Sequence, residues 1–339
     1  MGKVKESVDS LYILKCICAV LVVFIHLPAL SYEGIVLQPL MRIGVPSFLL
    51  ISGYFLFREG TLQRPVIERQ LRKLIKMMGV VYASYLSFSL IDRYCRGESL
   101  VPDGWTDISF WLRLLVVGDG VDTVLWYLTS YGEALVLLYA LACCKRQLAV
   151  GRVLGRVSPV LLLLAVLLNR YSFLIRPEAF DVAWSRNALL VALPCLLIGG
   201  GMRKVVESVS VRFSIVLLFL CVGLGYVEYA LLHHYGVKGS GADFNLMTFP
   251  IALSAFLFCL KHPSFRFLPS GIRHALRQVG KYHSGHLYLY HCLAYYLLML
   301  LAFYGLPLQW MLNAETVIVL VILFSVGRAS LCQSVPSKM

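Results

Sequence analysis

Ten apolar runs, each near the length a helix needs to cross a bilayer, constrain this chain more than any other feature. A hydrocarbon core of about 30 Å takes about 20 helical residues. The runs fall at 11–30, 38–57, 75–92, 123–143, 158–174, 187–202, 212–232, 245–260, 285–304 and 308–328. Those at 158–174, 187–202 and 245–260 are short, and 108–117 carries apolar character ahead of the fourth. Inside lipid, backbone amides and carbonyls have no water to pair with, so such segments are expected to be helical. The expected fold class is all-α, a polytopic transmembrane helix bundle of about ten helices, read as a single membrane-embedded domain over 1–339. Composition agrees. Only 14% of residues are charged and 59% are hydrophobic, whereas a soluble domain carries about 25% charged residues. The first run lacks a small-residue cleavage site and is too long for a cleavable signal peptide, so it is expected to stay as an anchor.

The formal net charge is +13. In a soluble chain that would raise nucleic acid as a partner, but no aromatic–basic nucleic-acid module accompanies it. The cations follow loops instead. With the N-terminus inside, Lys and Arg favour the inner segments over the outer ones by roughly three to one, as the positive-inside rule requires. The outer loop 93–122 is acidic, with Glu98, Asp103, Asp107, Asp119 and Asp122. An even number of spans then puts both termini in the cytoplasm. The ten cysteines are scattered, and none forms a CxxC pair. They read as reduced apolar fillers. No metal-ligand cluster is legible, since His233 and His234 are merely adjacent.

Ionisable residues inside spans mark sites more often than loop residues do, because each costs roughly 2.5–3.5 kcal/mol at mid-membrane on insertion scales. Lys15 and His26 lie eleven residues apart in the first run. That is three turns plus about 20°, so they share one helix face about 16 Å apart. This stripe puts a cation low and an imidazole high, like the wall of a polar path. The plainer alternative is a snorkelling Lys15 and a packing His26. Arg42 opens the second run, in RIGVPSFLLISGYF, where an interfacial anchor is the alternative. Glu133 in the fourth run and Glu228 in the seventh are candidates to pair with Lys15 or to orient His26. Arg186 stands at the outer start of the sixth run, where interfacial placement alone would account for it. His291 lies in HLYLYHCL, where a structural hydrogen bond is the expected role. Arg69, Arg72 and Lys76 share a helical face in the inner loop. Such a face suits a polyphosphate as well as anionic lipid.

Four stretches carry a resemblance. KCICAVLVVFIH holds a cation and a histidine, Lys15 and His26, eleven residues apart. RIGVPSFLLISGYF holds Arg42 and the Ser52–Gly53–Tyr54 triplet. RQLR holds Arg69 and Arg72, and GKYHSGHLYLYH holds Ser284, Tyr288 and His291. LWYL around Trp126 and SRNALLVALPCLLIGG with Arg186 are weaker echoes. Together they resemble the acyltransferase-3 family of bacterial integral membrane O-acyltransferases. In one departure, Asp9 lies six residues before Lys15, where family members often have an Asp three before the cation.

The resemblance implies a multi-pass protein of the cell inner membrane that transfers an acyl group, commonly acetyl. The donor is a cytoplasmic acyl-CoA such as acetyl-CoA, and the acceptor is a hydroxyl of a cell-surface or lipid-linked glycan. No metal is implied. His26 is then expected to take the hydroxyl proton, or to carry the acyl group transiently. Arg42 is expected to stabilise charge on the carbonyl oxygen, Lys15 to hold the donor's polar arm, and Arg69 and Arg72 to hold the CoA phosphates. Glu133, Arg186, Tyr288 and His291 are expected as supporting residues. Two rivals stand beside this reading. One is a transporter or flippase of a glycan precursor using the same polar path without chemistry. The other is a non-catalytic partner of a glycan synthase. Neither inverted repeats nor broken helix pairs favour the transporter. The acceptor, the choice between acetyl and succinyl, and the oligomeric state are not written in the sequence.

Overall fold

The computed structural model describes residues 9–28, 33–58, 60–101, 104–118, 121–175, 185–237 and 243–334. The fold is all-α. Among the described residues, eight helices are long and apolar enough to cross a membrane. They correspond to eight of the ten predicted spans. Of the other two, 245–260 forms a 14-residue apolar helix, Thr248–Lys261, and 308–328 falls in the helix Ala314–Ser334. The contacts gather into two compact units, residues 1–44 with 262–339, and residues 45–261.

In the first unit, α1 (Asp9–His26) is central. It packs against α2 (Glu33–Met41), α11 (Ser270–Gln278), a π turn at Val279–His283, α12 (Ser284–Phe303) and α13 (Ala314–Ser334). Most of its apolar residues are buried, with Ile13, Cys18, Ala19 and Val23 all at 0% exposure, while Ile17 is 43% exposed. Two glycines set how closely neighbours approach it. A Cβ on Gly280 would overlap the Tyr12 carbonyl and come within 3.1 Å of the Cys16 amide. A Cβ on Gly44 would lie 2.6 Å from a Val22 methyl. In lipid, where apolar burial does not drive helices together, such small residues allow the close backbone packing that does.

The second unit runs α3 (Gly44–Leu56), a two-stranded hairpin of β1 (Phe57–Arg58) and β2 (Thr61–Leu62), α4 (Arg64–Arg96), α5 (Ile108–Val116), α6 (Trp126–Cys143), α7 (Gln147–Leu167), α8 (Leu193–Ser208), α9 (Val211–His234) and α10 (Thr248–Lys261). Here α4 packs on α6, α7 on α8, and α9 on α10. Helices α3 and α8 meet through reciprocal glycines. A Cβ on Gly53 would sit 2.8 Å from the Leu196 carbonyl carbon, and one on Gly199 would sit 2.8 Å from that of Leu50.

Several boundaries differ from expectation for physical reasons. The second span breaks at Arg42–Ile43, between α2 and α3. Pro46 follows, and a helical proline ring clashes with the carbonyl four residues back, here that of Arg42. The third helix begins at Arg64 rather than 75. Pro65 sits in its first turn, where a missing amide costs nothing, and Lys, Arg, Gln and Leu are good helix formers. At 1.5 Å per residue its 33 residues reach about 50 Å, so its basic end extends beyond the hydrocarbon. The segment 108–117 is not a head start for the fourth span. Helix α5 stands apart from it, separated by Gly118 at φ 73° and by Asp122, whose carboxylate accepts the Val124 amide at 3.0 Å. The fifth span starts at Gln147 and ends at Leu167, earlier at both ends than read. The sixth opens with a π turn at Ala188–Ala192. Its proline, Pro194, has no amide to complete an ordinary helical turn there.

Candidate functional site

In the first unit His26 is the last residue of α1 and is exposed, while Lys15, eleven residues earlier, is half-buried. Beside His26 lies His291, with ring centroids 5.3 Å apart and planes tilted by 40°. The two imidazoles come from α1 and α12, which pack together along much of their length. His291 is fully buried. Its Nδ1 lies 3.0 Å from the Leu287 carbonyl and 2.9 Å from that of Tyr288. Carbonyls only accept, so Nδ1 bears the proton and donates. Nε2 is then left with its lone pair, buried and without a hydrogen-bond partner. The structural hydrogen bond expected of His291 exists, but it uses one nitrogen only. Buried polar atoms are normally paired, and an unpaired one on a ring whose centroid lies 5.3 Å from that of a second imidazole marks this spot.

The local chain makes this geometry. Gly280 lets the π turn lie against α1, and the Ser284 hydroxyl donates to the Gly280 carbonyl at 2.7 Å. One turn on, Tyr288 is buried at 5% exposure and lends its carbonyl to His291. Tyr288 thus supports His291 through its backbone. Arg42 is half-buried at the break between α2 and α3. At the other end of α1, Asp9 is paired with Arg277 of α11 at 2.9 Å. Farther along, His283, His286, Ser325 and Arg328 form a hydrogen-bonded chain, with Ser325 Oγ 2.7 Å from His283 and 2.9 Å from His286. Sequence reasoning passed over that chain.

The second unit holds the other predicted residues. Arg186 is not a simple interfacial anchor. Its side chain is 11% exposed and makes a two-pronged ion pair with Asp243, one arm at 3.0 Å, with the Trp126 ring 5.9 Å from its guanidinium. Asn169 holds the other half of this cluster. Its carbonyl oxygen accepts the amides of Asp243 and Phe244 at 2.8 and 3.0 Å, and its amide donates to Ser185 at 2.9 Å. Glu228 does not serve as the partner suggested by its depth. Its carboxylate accepts the Tyr171 hydroxyl and the amides of Leu246 and Met247, tying α9 to the chain entering α10. Burial, reinforced by the Glu228 carboxylate, pushes the Tyr171 phenol up from its ordinary value. Asp243 was missed because it stands outside the apolar runs, and Asn169 because, although it lies in the run 158–174, it carries no charge.

Arg69 and Arg72 are exposed on α4. Arg64, at the helix start, is occupied otherwise. It donates to Glu68 at 3.1 Å and to the Tyr139 hydroxyl at 2.6 Å. Arg203 of α8 covers the ring of Tyr54 at 4.2 Å, fixing the tyrosine of the Ser52–Gly53–Tyr54 triplet by a cation–π contact. Glu133 is half-buried in α6. The structure thus joins His26, His291 and Tyr288 in one unit. It sets Arg186 in a separate ion-pair cluster of the other unit.

No solved structure matches the chain. An amino-acid racemase of Enterococcus faecalis is 27% identical over 130 residues. That match takes in 37% of this chain and only 17% of the racemase, so the chain spans a small part of that relative's length. The matched extent is much greater for a family. The model of the acyltransferase domain known as acyltransferase-3 covers residues 8–327, from the start of α1 into α13, and the chain belongs to that family of membrane acyltransferases.

Proposed function

We propose that the protein moves an acyl group, acetyl in the simplest case, from a cytoplasmic acyl-CoA to a hydroxyl of a cell-surface or lipid-linked glycan, working in the cell inner membrane with both termini cytoplasmic. The observation that carries the reading is the pair of imidazoles. His26 is exposed at the end of a membrane helix, and beside it His291 presents an unpartnered Nε2.

In this reading His26 takes the acceptor's hydroxyl proton as the oxygen attacks the thioester carbonyl. The C–O bond forms, the C–S bond breaks, and the proton returns to the leaving thiolate. An imidazole is suited to both steps near neutral pH. His291 is fixed by two carbonyls and cannot turn. Its Nε2 lone pair is available to orient the imidazolium that His26 becomes, the part a buried carboxylate takes in other base assemblies. Arg42 offers a guanidinium to the carbonyl oxygen as charge develops there, and Lys15 a cation for the donor's polar arm. Arg69 and Arg72, side by side on α4, offer two guanidinium groups to the CoA phosphates. Arg186, held in its buried pair with Asp243, supports the fold of its unit.

Thiol release tests the reading. Proteoliposomes given acetyl-CoA and a glycan extract should liberate free CoA only when both are present. Liberation of no CoA, with unmodified glycan carried across the membrane, would favour the transporter instead. Changing both Arg69 and Arg72 to Ala should raise the apparent KM for acyl-CoA about tenfold or more and leave that for the acceptor unchanged. An unaltered donor KM would remove the phosphate role from α4.

A further inference from the structure

We propose that the cavity at the foot of α1 binds the phosphates of a phosphorylated nucleotide, and, resting on the acyl-CoA reading above, that it holds the phosphorylated adenosine end of the donor. The cavity measures about 710 Å³, within the range of small-molecule sites. Its lining residues include Arg266, Arg273, His274 and Arg277 together with the hydroxyl-bearing Ser264 and Ser270. Asp9 is the one carboxylate there, and it is paired with Arg277 at 2.9 Å. Arg266 and Arg273 have no acidic partner among the described residues. Three guanidinium groups against one carboxylate leave an excess of positive charge in a concave space.

The backbone adds to it. Ser270 and Gly271, the first residues of α11, line the same cavity. The residue before them is Pro269, and no side chain caps the helix. The first amides of α11 therefore have no cap, and they lie where a helix N-terminus favours an anion. Arg273 and Arg277 are one turn apart on the same helix, so both present to one side. A phosphomonoester suits such a set better than a single carboxylate does, because planar guanidinium groups pair with phosphate oxygens two at a time; in the donor this is the ribose 3′-phosphate, the pyrophosphate being the part given to Arg69 and Arg72.

Position gives the second argument. Helix α1 starts at this cavity with Asp9 and ends at His26, 17 residues later, about 26 Å along its axis. Lys15 lies between. An acyl-CoA is built the same way, with phosphates at one end, a long pantetheine arm and a thioester at the other. The same phosphate chemistry could come from an anionic lipid headgroup, since Phe267 and Ile272 nearby are exposed. The cavity lining contains no apolar side chain to receive an acyl chain, which favours the free nucleotide.

The test uses the full chain in nanodiscs of neutral phosphatidylcholine. Affinities for CoA, 3′-dephospho-CoA and adenosine 3′,5′-bisphosphate are measured for wild type, Arg273→Gln and Arg273→Lys, with thermal unfolding confirming that each is folded. Arg273→Gln should weaken CoA and the bisphosphate about 10- to 100-fold, weaken 3′-dephospho-CoA less, and be partly rescued by Lys. Tight CoA binding by wild type with no change in Arg273→Gln overturns the cavity assignment and leaves the acyl-CoA reading standing. Loss of retained phosphatidylglycerol in that variant, with CoA affinity unchanged, assigns the cavity to lipid and also overturns it. Arg273-dependent binding of the bisphosphate, in a protein that transfers no acyl group, supports the nucleotide site while removing the acyltransferase reading.

Discussion

Replacing His26 with Ala should lower acyl transfer by about 10²- to 10⁴-fold, the usual contribution of a positioned general acid–base group, while donor affinity stays within about twofold. The split follows from where His26 sits. It is exposed at the last residue of α1, so removing its ring leaves the buried apolar face of that helix untouched, and the protein should insert and fold normally. A loss confined to kcat means the imidazole acts in the transition state; a loss confined to KM would make it a binding residue. His291→Phe separates the base from its support. The substitution keeps an aromatic ring in a fully buried position but removes both ring nitrogens, the anchoring Nδ1 as well as Nε2, and it should lower kcat less than His26→Ala does while leaving donor affinity alone. Equal activity in wild type and His26→Ala would withdraw the base assignment, whatever His291 does.

Asp243→Ala should destabilise the protein by about 3–5 kcal/mol, the usual cost of breaking a buried ion pair by removing one partner. Arg186 and Asp243 are 11% and 10% exposed, so water cannot replace the lost carboxylate. The pair is also part of a larger join, because Asn169 accepts the Asp243 amide and the Ser130 hydroxyl donates to the Arg186 carbonyl. The measurement is thermal unfolding in detergent. The double variant Arg186→Met with Asp243→Leu removes both charges and should recover much of the loss, since apolar replacement of a whole buried pair is often neutral or better. A double variant no more stable than Asp243→Ala would show that the cluster's value lies in its shape and hydrogen bonds rather than in charge compensation.

The spans were readable because lipid imposes a length and a composition on them. Their ends were less so. The basic stretch at Arg64–Lys76 looked like a loop on charge, but good helix formers carry α4 straight through it. Pro46 and Pro194 disturbed helices that apolar content alone had left continuous. Lys15 and His26 stood out since an ionisable group in an apolar run is conspicuous. His291 did too, but its orphaned Nε2 and its place beside the His26 ring depend on how α12 lies against α1, where Gly280 permits the close approach. Arg186 was noticed, yet its partner Asp243 was not, because a lone aspartate in a polar connection carries no signal until the chain folds back. The cavity beneath α1 was hidden in the same way: Arg266, Arg273 and Arg277 read only as positive-inside cations until the fold drew them together around Asp9.

The most direct measurement is transfer of label from acyl-labelled acetyl-CoA and succinyl-CoA by the purified protein in membranes, with a glycan extract as acceptor and wild type beside His26→Ala. An O-acyltransferase with His26 as its base predicts an alkali-labile ester on the glycan in the wild-type lane, from one donor or both, and next to none in the variant. No labelled glycan from either donor, with a folded wild-type protein, would contradict the account.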